Sequence, residues 1–122
     1  MKVLIVEDSK ATRELLATTV QTISGVEVVC AISGFEALKV LPRFQFALII
    51  TDINMPDING LELINFVKKN PHYRDVPLFV VTTEGRDQDR ARGIALGASE
   101  YLIKPFASEV LVALVKQYLK LF

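Results

Sequence analysis

Five short, mostly apolar and β-branched runs stand out along the chain: KVLIV (2–6), VEVVCAI (26–32), ALIIT (47–51), PLFVVT (77–82) and EYLIK (100–104). Continuous rather than alternating apolarity is the signature of strands covered on both faces. The intervening segments change period. Ala11, Leu15, Leu16, Val20 and Ile23 recur at three- and four-residue steps and predict a first helix. GFEALKVL (34–41) predicts a short helix that Pro42 stops. GLELINFVKK (60–69) presents Leu61, Ile64, Phe66 and Val67 before Asn70-Pro71 closes it. DQDRARGIALG (87–97) opens polar, is weak in apolar spacing, and ends on Gly97 as the residue past the helix. A last helix starts at about Ser108, a predicted N-cap, and carries Val110, Leu111, Leu114, Val115, Tyr118 and Leu119.

The order is therefore strand then helix, five times over. Such alternation predicts an α/β fold with parallel pairing, right-handed crossovers and helices on both sheet faces. Five strands suit an open, doubly wound sheet and cannot close an eight-stranded barrel. A length of 122 residues fits one domain, here expected over residues 1–122, without internal repeats, low-complexity tracts or linkers. The sequence stops at LKLF within the fifth helix, so no output domain is expected within these residues.

Composition mainly excludes. Lys plus Arg and Asp plus Glu number 14 each, so no basic excess recommends nucleic acid as a partner. Apolar content of 51% argues against disorder. The single Cys30 cannot form an internal disulfide and is expected to be a small core residue of a protein in a reducing compartment. KVLIV after Met1 is too short for a secretory signal, and no run approaches membrane-spanning length. A soluble, cytoplasmic, membrane-free protein is expected. His72 has no second His or Cys to make a metal set, and Arg86, Arg90 and Arg92 read as a solvated face.

In open parallel sheets, chemistry collects beyond the carboxyl ends of the strands. Those ends carry Glu7 and Asp8 after the first run, Ser33-Gly34 after the second, Asp52 after the third, Thr82-Thr83 after the fourth and Lys104-Pro105 after the fifth. Each has a plain reading by itself: a helix-start acid pair, an Asx-turn acid before Pro56, a surface lysine. Together on one edge they mean more. Three converging carboxylates repel, and a hard divalent cation relieves that repulsion; Mg²⁺ prefers a few carboxylates plus waters.

The stretches VLIVEDSKATRELL, AISGFEALKVL, LIITDINMPDINGLELI, PLFVVTTEG and GASEYLIKPF resemble the receiver domain of two-component response regulators, in family order and spacing. The resemblance is greatest to the small chemotaxis receivers of that family. It implies a flavodoxin-like (βα)5 domain with sheet order 2-1-3-4-5. By resemblance, Asp52 is the residue phosphorylated by a sensor histidine kinase. Asp8 and Asp52 would bind Mg²⁺ directly, with the carbonyl of Asn54 as a third ligand and Glu7 acting through water. Lys104 would pair with Asp52 and then with the phosphoryl oxygens, and Thr82 would donate its hydroxyl to that group. Tyr101 occupies the aromatic switch position and would turn inward, altering the face made by the fourth helix, fifth strand and fifth helix. Tyr101 on spacing alone reads as a half-buried strand aromatic. The Lys104-Pro105 bond is usually cis in the family. Such a protein is a phosphoacceptor rather than an enzyme, assisting its own phosphotransfer and dephosphorylation. A monomer is expected, with phosphorylation-dependent pairing a possibility of the family. The output is open: a free-standing shuttle, a relay carrier, or the front of a longer, for example transcriptional, regulator.

Asn54, two past the acceptor, and Glu84, two past Thr82, are the types that the chemotaxis receivers carry, and that resemblance implies quick self-dephosphorylation. Two positions depart from the common pattern. Glu7 stands where Asp is commoner and its extra methylene favours water-mediated metal contact; Thr83 replaces a smaller residue and narrows access. Rival readings fit less well. A flavin carrier on this fold needs a Gly/Ser/Thr phosphate cradle after the first strand, where this chain has EDSKATRE. An aspartyl-nucleophile phosphatase puts its DxD pair there instead. A degenerate, non-phosphorylated receiver would not keep Asp8, Asp52, Thr82 and Lys104 together.

Overall fold

β1 (Lys2–Val6) shows why the chain folds as it does: Val3, Leu4, Ile5 and Val6 are all fully buried, alternately on opposite faces of one sheet. In the computed structural model, which describes residues 1–83 and 85–121, the elements follow as α1 (Lys10–Gln21), β2 (Glu27–Ala31), α2 (Gly34–Val40), β3 (Phe46–Thr51), α3 (Gly60–Lys69), β4 (Leu78–Thr82), α4 (Asp87–Leu96), β5 (Glu100–Ile103) and α5 (Ser108–Leu119). Among the described residues, all pairings are parallel and the order is β2-β1-β3-β4-β5, as the sequence led us to expect.

The sheet separates two cores. Leu4, Val6, Ile49, Leu78, Val80 and Tyr101 face Leu61, Leu63, Ile64 and Val67 of α3 and Ala37 of α2. Val3, Ile5, Leu48, Ile50, Phe79 and Val81 face Leu16 and Val20 of α1 and Leu111, Val115 and Leu119 of α5. Each such aliphatic burial contributes about 1.5–3 kcal/mol before conformational entropy is set against it. Among the described residues, no helix is long and apolar enough to cross a membrane.

Several local expectations are corrected. β2 is an edge strand, so its apolar run is not covered on both faces: Val28 and Val29 are half-buried and Cys30 is exposed. Cys30 is therefore not a core residue. The second helix ends at Val40, one residue before the expected Leu41, and Pro42 sits in a 3₁₀ turn over Leu41–Arg43 that its fixed φ suits. Ser108 is the first residue of α5, and Ala107 occupies the cap without a side-chain bond. Leu15 and Phe66 point outward, while Leu63 takes a buried place on α3. Gly97 ends α4 at φ +118°, the left-handed setting anticipated for it.

Candidate functional site

The strand order reverses between β1 and β3, which opens a crevice at their carboxyl ends. Register then fixes what lines it. Val6 pairs with Thr51 as the last rung, so Glu7 and Asp52 leave the sheet side by side, with the Asp52 N–H donating to the Val6 carbonyl at 3.2 Å. On the far side Thr82 pairs with Ile103, and the Lys104 N–H donates to the Thr82 carbonyl at 2.8 Å. Lys104 thus starts one strand-width beyond Thr82 and reaches back across the crevice.

Its ammonium joins two acids. Lys104 Nζ donates to Glu7 Oε1 at 2.6 Å and to Asp52 Oδ2 at 3.0 Å. Both acids are buried, Glu7 at 1% exposure and Asp52 at 7%. Glu7 also accepts the Ser9 N–H at Oε2, 3.0 Å. Asp52 Oδ1 accepts the N–H of Ile53 at 2.6 Å and of Asn54 at 3.2 Å, so its other oxygen faces the crevice and Lys104. Burial pushes the Glu7 carboxyl above the ordinary value, against the opposing pull of Lys104 and Ser9. Burial alone would depress the Lys104 ammonium, but its hydrogen bonds to Glu7 and Asp52 win and raise it.

Glu7, Asp8 and Asp52 form the acidic cluster: one oxygen from each lies within 4.8 Å of the others. Asp8 is exposed, so the cluster opens to solvent on one side. Three carboxylates face a single ammonium, which bridges only Glu7 and Asp52, and all donors are hard oxygens without imidazole or thiolate. That donor set fits Mg²⁺ and does not fit zinc. Among the described residues no buried side-chain polar atom lacks a hydrogen-bond partner.

The other predicted residues take definite places. Asn54 is exposed on the loop after β3. Thr82 is fully buried and by alternation shares a sheet face with Leu78 and Val80. Tyr101 lies in the same core at 7% exposure, its ring 3.5 Å from the space a methyl would fill at Gly93 of α4. It is thus buried rather than half-buried. Lys104–Pro105 is cis. Glu84 lies outside the described residues. His72 sits by the amino ends of β3 and β4, away from the cluster. Arg90 and Arg92 are exposed on α4.

Two residues escaped the sequence reading. Arg13 Nη1 donates to the carbonyls of Glu7 at 3.0 Å and Asp8 at 3.3 Å, holding the loop that carries both acids. Its signal was an arginine within the first turn of α1 after an acid pair. Asp57, in the loop after Asp52, accepts the N–H groups of Gly34 at 3.2 Å and Phe35 at 2.9 Å, at the start of α2. Nothing in the sequence marks that pairing across 23 positions. The helix-start role considered for Glu7-Asp8 belongs instead to Ser9, whose hydroxyl accepts the Thr12 N–H.

The response regulator receiver domain model matches residues 3–116. The chain belongs to the response regulator receiver family. A chemotaxis protein CheY homolog of Campylobacter jejuni is 37% identical to this receiver over 112 residues, covering 91% of this chain and 86% of that protein. The crystal structure of Vibrio cholerae chemotaxis protein CheY4 superposes with a TM-score of 0.87 at 36% identity, covering 96% of this chain and 97% of that one. Response regulator protein FleR of Pseudomonas aeruginosa is 37% identical over 117 residues, which span 96% of this receiver but 24% of FleR. Receivers are phosphoacceptors of two-component signalling and bind Mg²⁺ at an acidic pocket, and the Glu7–Asp8–Asp52 cluster stands at the corresponding crevice of this fold.

Proposed function

We propose that this receiver takes a phosphoryl group from a sensor histidine kinase onto Asp52 and passes the signal to a protein partner. The observation that carries the reading is the shared ammonium of Lys104, 2.6 Å from Glu7 and 3.0 Å from a buried Asp52 that is otherwise held by two backbone N–H groups. Such anchoring fixes the remaining carboxylate oxygen for in-line attack. That oxygen bonds to phosphorus as the phosphorus–nitrogen bond to the kinase imidazole breaks, and the imidazole leaves as the neutral base once protonated. The product is an acyl phosphate, which water can hydrolyse, so the signal decays.

Asp8, Asp52 and the Asn54 carbonyl would hold Mg²⁺, with Glu7 acting through water. The ion would supply charge neutralisation for the equatorial phosphoryl oxygens. Lys104 then shifts from its resting bonds toward the phosphoryl oxygens, and Thr82 donates its hydroxyl to them. Tyr101 is inward already, so phosphorylation fixes that setting rather than creating it. The α4–β5–α5 face is the output surface, and coupling of about 1–3 kcal/mol suffices to change partner affinity usefully.

The likeness to chemotaxis receivers supports a free-standing shuttle. A second reading, the receiver portion of a longer regulator, draws support from FleR, of which the matched part is 24%. Asn54 at two past the acceptor favours short-lived phosphorylation. Incubation with acetyl phosphate and Mg²⁺ followed by intact mass tests the chemistry: one phosphoryl adduct is expected, lost in Asp52→Asn. An adduct retained in that variant moves the acceptor elsewhere.

A further inference from the structure

Asp52 and Asn54 sit at the start of the loop over residues 52–59, and what holds that loop decides where their oxygens point. At its far end the loop is tied to α3: Asn59 caps that helix by accepting the Glu62 N–H at 3.0 Å, and the Gly60 N–H donates to the Ile53 carbonyl at 2.8 Å. Its crown is tied to a different element. Both carboxylate oxygens of Asp57 are engaged, Oδ1 by Gly34 and Oδ2 by Phe35. The adjoining Ile58 lies against Gly34 so closely that a methyl there would stand 2.7 Å from its Cβ and 2.8 Å from its carbonyl oxygen. Gly34 is therefore required by close approach, and the contact at Ile58 and the hydrogen bonds at Asp57 hold two adjoining residues of the loop crown.

We propose that Asp57 is a positioning residue for metal binding, latching the crown of the 52–59 loop to the start of α2 so that Asn54 and Asp52 present their oxygens to the ion. The proposal rests on the reading of Glu7, Asp8, Asp52 and Asn54 as the Mg²⁺ site. Without the latch, the loop keeps its attachment to α3 but gains freedom at its crown, and the ligand set must be ordered anew at each binding event. The backbone bonds of Asp57, with Phe35 the strongest, also hold its carboxyl below the ordinary aspartate value, so the latch is closed at neutral pH. The latch also makes α2 part of the metal loop's support: Phe35, itself 58% exposed, supplies one of its two N–H groups.

The test is direct Mg²⁺ titration by calorimetry on the whole chain, without phosphodonor. Asp57→Ala is expected to bind Mg²⁺ about tenfold more weakly, the scale of lost supporting contacts around metal ligands. Asp57→Asn keeps an acceptor for one of the two N–H groups and is expected to recover part of the affinity. A folded Asp57→Ala with wild-type Mg²⁺ affinity overturns the proposal. Where that variant does not fold, amide shifts in the wild-type protein decide. Gly34 and Phe35 signals that move with the same half-saturation as Asn54 support the latch, and signals that stay still overturn it. Failure of the phosphoacceptor reading is separate: it would appear as an adduct that survives Asp52→Asn.

Discussion

Gly60 backs directly onto the main chain of Asp52: a methyl group at position 60 would stand 2.2 Å from the Asp52 carbonyl oxygen and 2.7 Å from the Ile53 Cα. The obstacle is backbone, which cannot rotate away as a side chain could. Gly60→Ala should therefore cost about 2–3 kcal/mol, toward the upper end for overpacking. It should also slow phosphoryl labelling, because relief comes only by displacing Asp52. Urea unfolding and acetyl phosphate labelling check both. Wild-type stability would show that the loop yields freely.

Magnesium should stabilise the protein through its acidic cluster. At a Mg²⁺ concentration ten times the dissociation constant, mass action adds about 1.4 kcal/mol to folding. Asp8→Ala should remove most of that increment. Asp8 is exposed and outside the Lys104 bridge, so the metal-free stability of the variant should stay within about 0.5 kcal/mol of wild type. Thermal melts with and without the ion measure this. An undiminished Mg²⁺ response in Asp8→Ala would place the ion elsewhere.

Alkaline stability should report two raised groups. The Tyr118 hydroxyl donates to Glu100 Oε2 at 2.6 Å, and that bond raises the phenol above 10.0. Hydrogen bonds to Glu7 and Asp52 likewise raise Lys104 above 10.5 despite burial. In each case the favoured form is the protonated one. The stabilisation is fully present below the unfolded values and is lost as pH climbs through the folded ones. Tyr118→Phe should lose about 1 kcal/mol at neutral pH. It should also show a shallower decline above pH 10 than wild type. Equal slopes in a pH series of denaturant melts would refute the assignment.

Cys30 should react with a thiol reagent in the native protein, since it is exposed on the edge strand. The rate should be lower than for a free thiol at the same pH, because partial burial raises its pKa. Cys30→Ser should change stability by no more than about 0.5 kcal/mol. Reaction only on unfolding would mean that the edge is covered.

The contrast between β1 and β2 shows where sequence reading succeeds and why it stops. KVLIV and VEVVCAI look alike as strings, yet the first is a central strand and the second an edge. Composition reports a strand's preference, whereas edge position is decided by which neighbours the topology supplies. Glu7, Asp8, Asp52, Thr82 and Lys104 were legible as strand-end residues because a parallel sheet gathers those ends. Asp57 was not, because its partners are backbone groups, which carry no residue signature, and Arg13 left only its place in the first turn of α1 after an acid pair. Ser108 was misjudged as a cap by one position, a shift that propensity does not resolve.

The sheet acts as a partition with two separately packed sides. Thr82, by its place on β4, shares its side with Tyr101 and the α3 core, while α1 and α5 pack their buried stripes on the reverse. A displacement at Thr82 would therefore fall on the side that holds Tyr101 and the α3 core, with the full thickness of the sheet between it and the α1–α5 stripes.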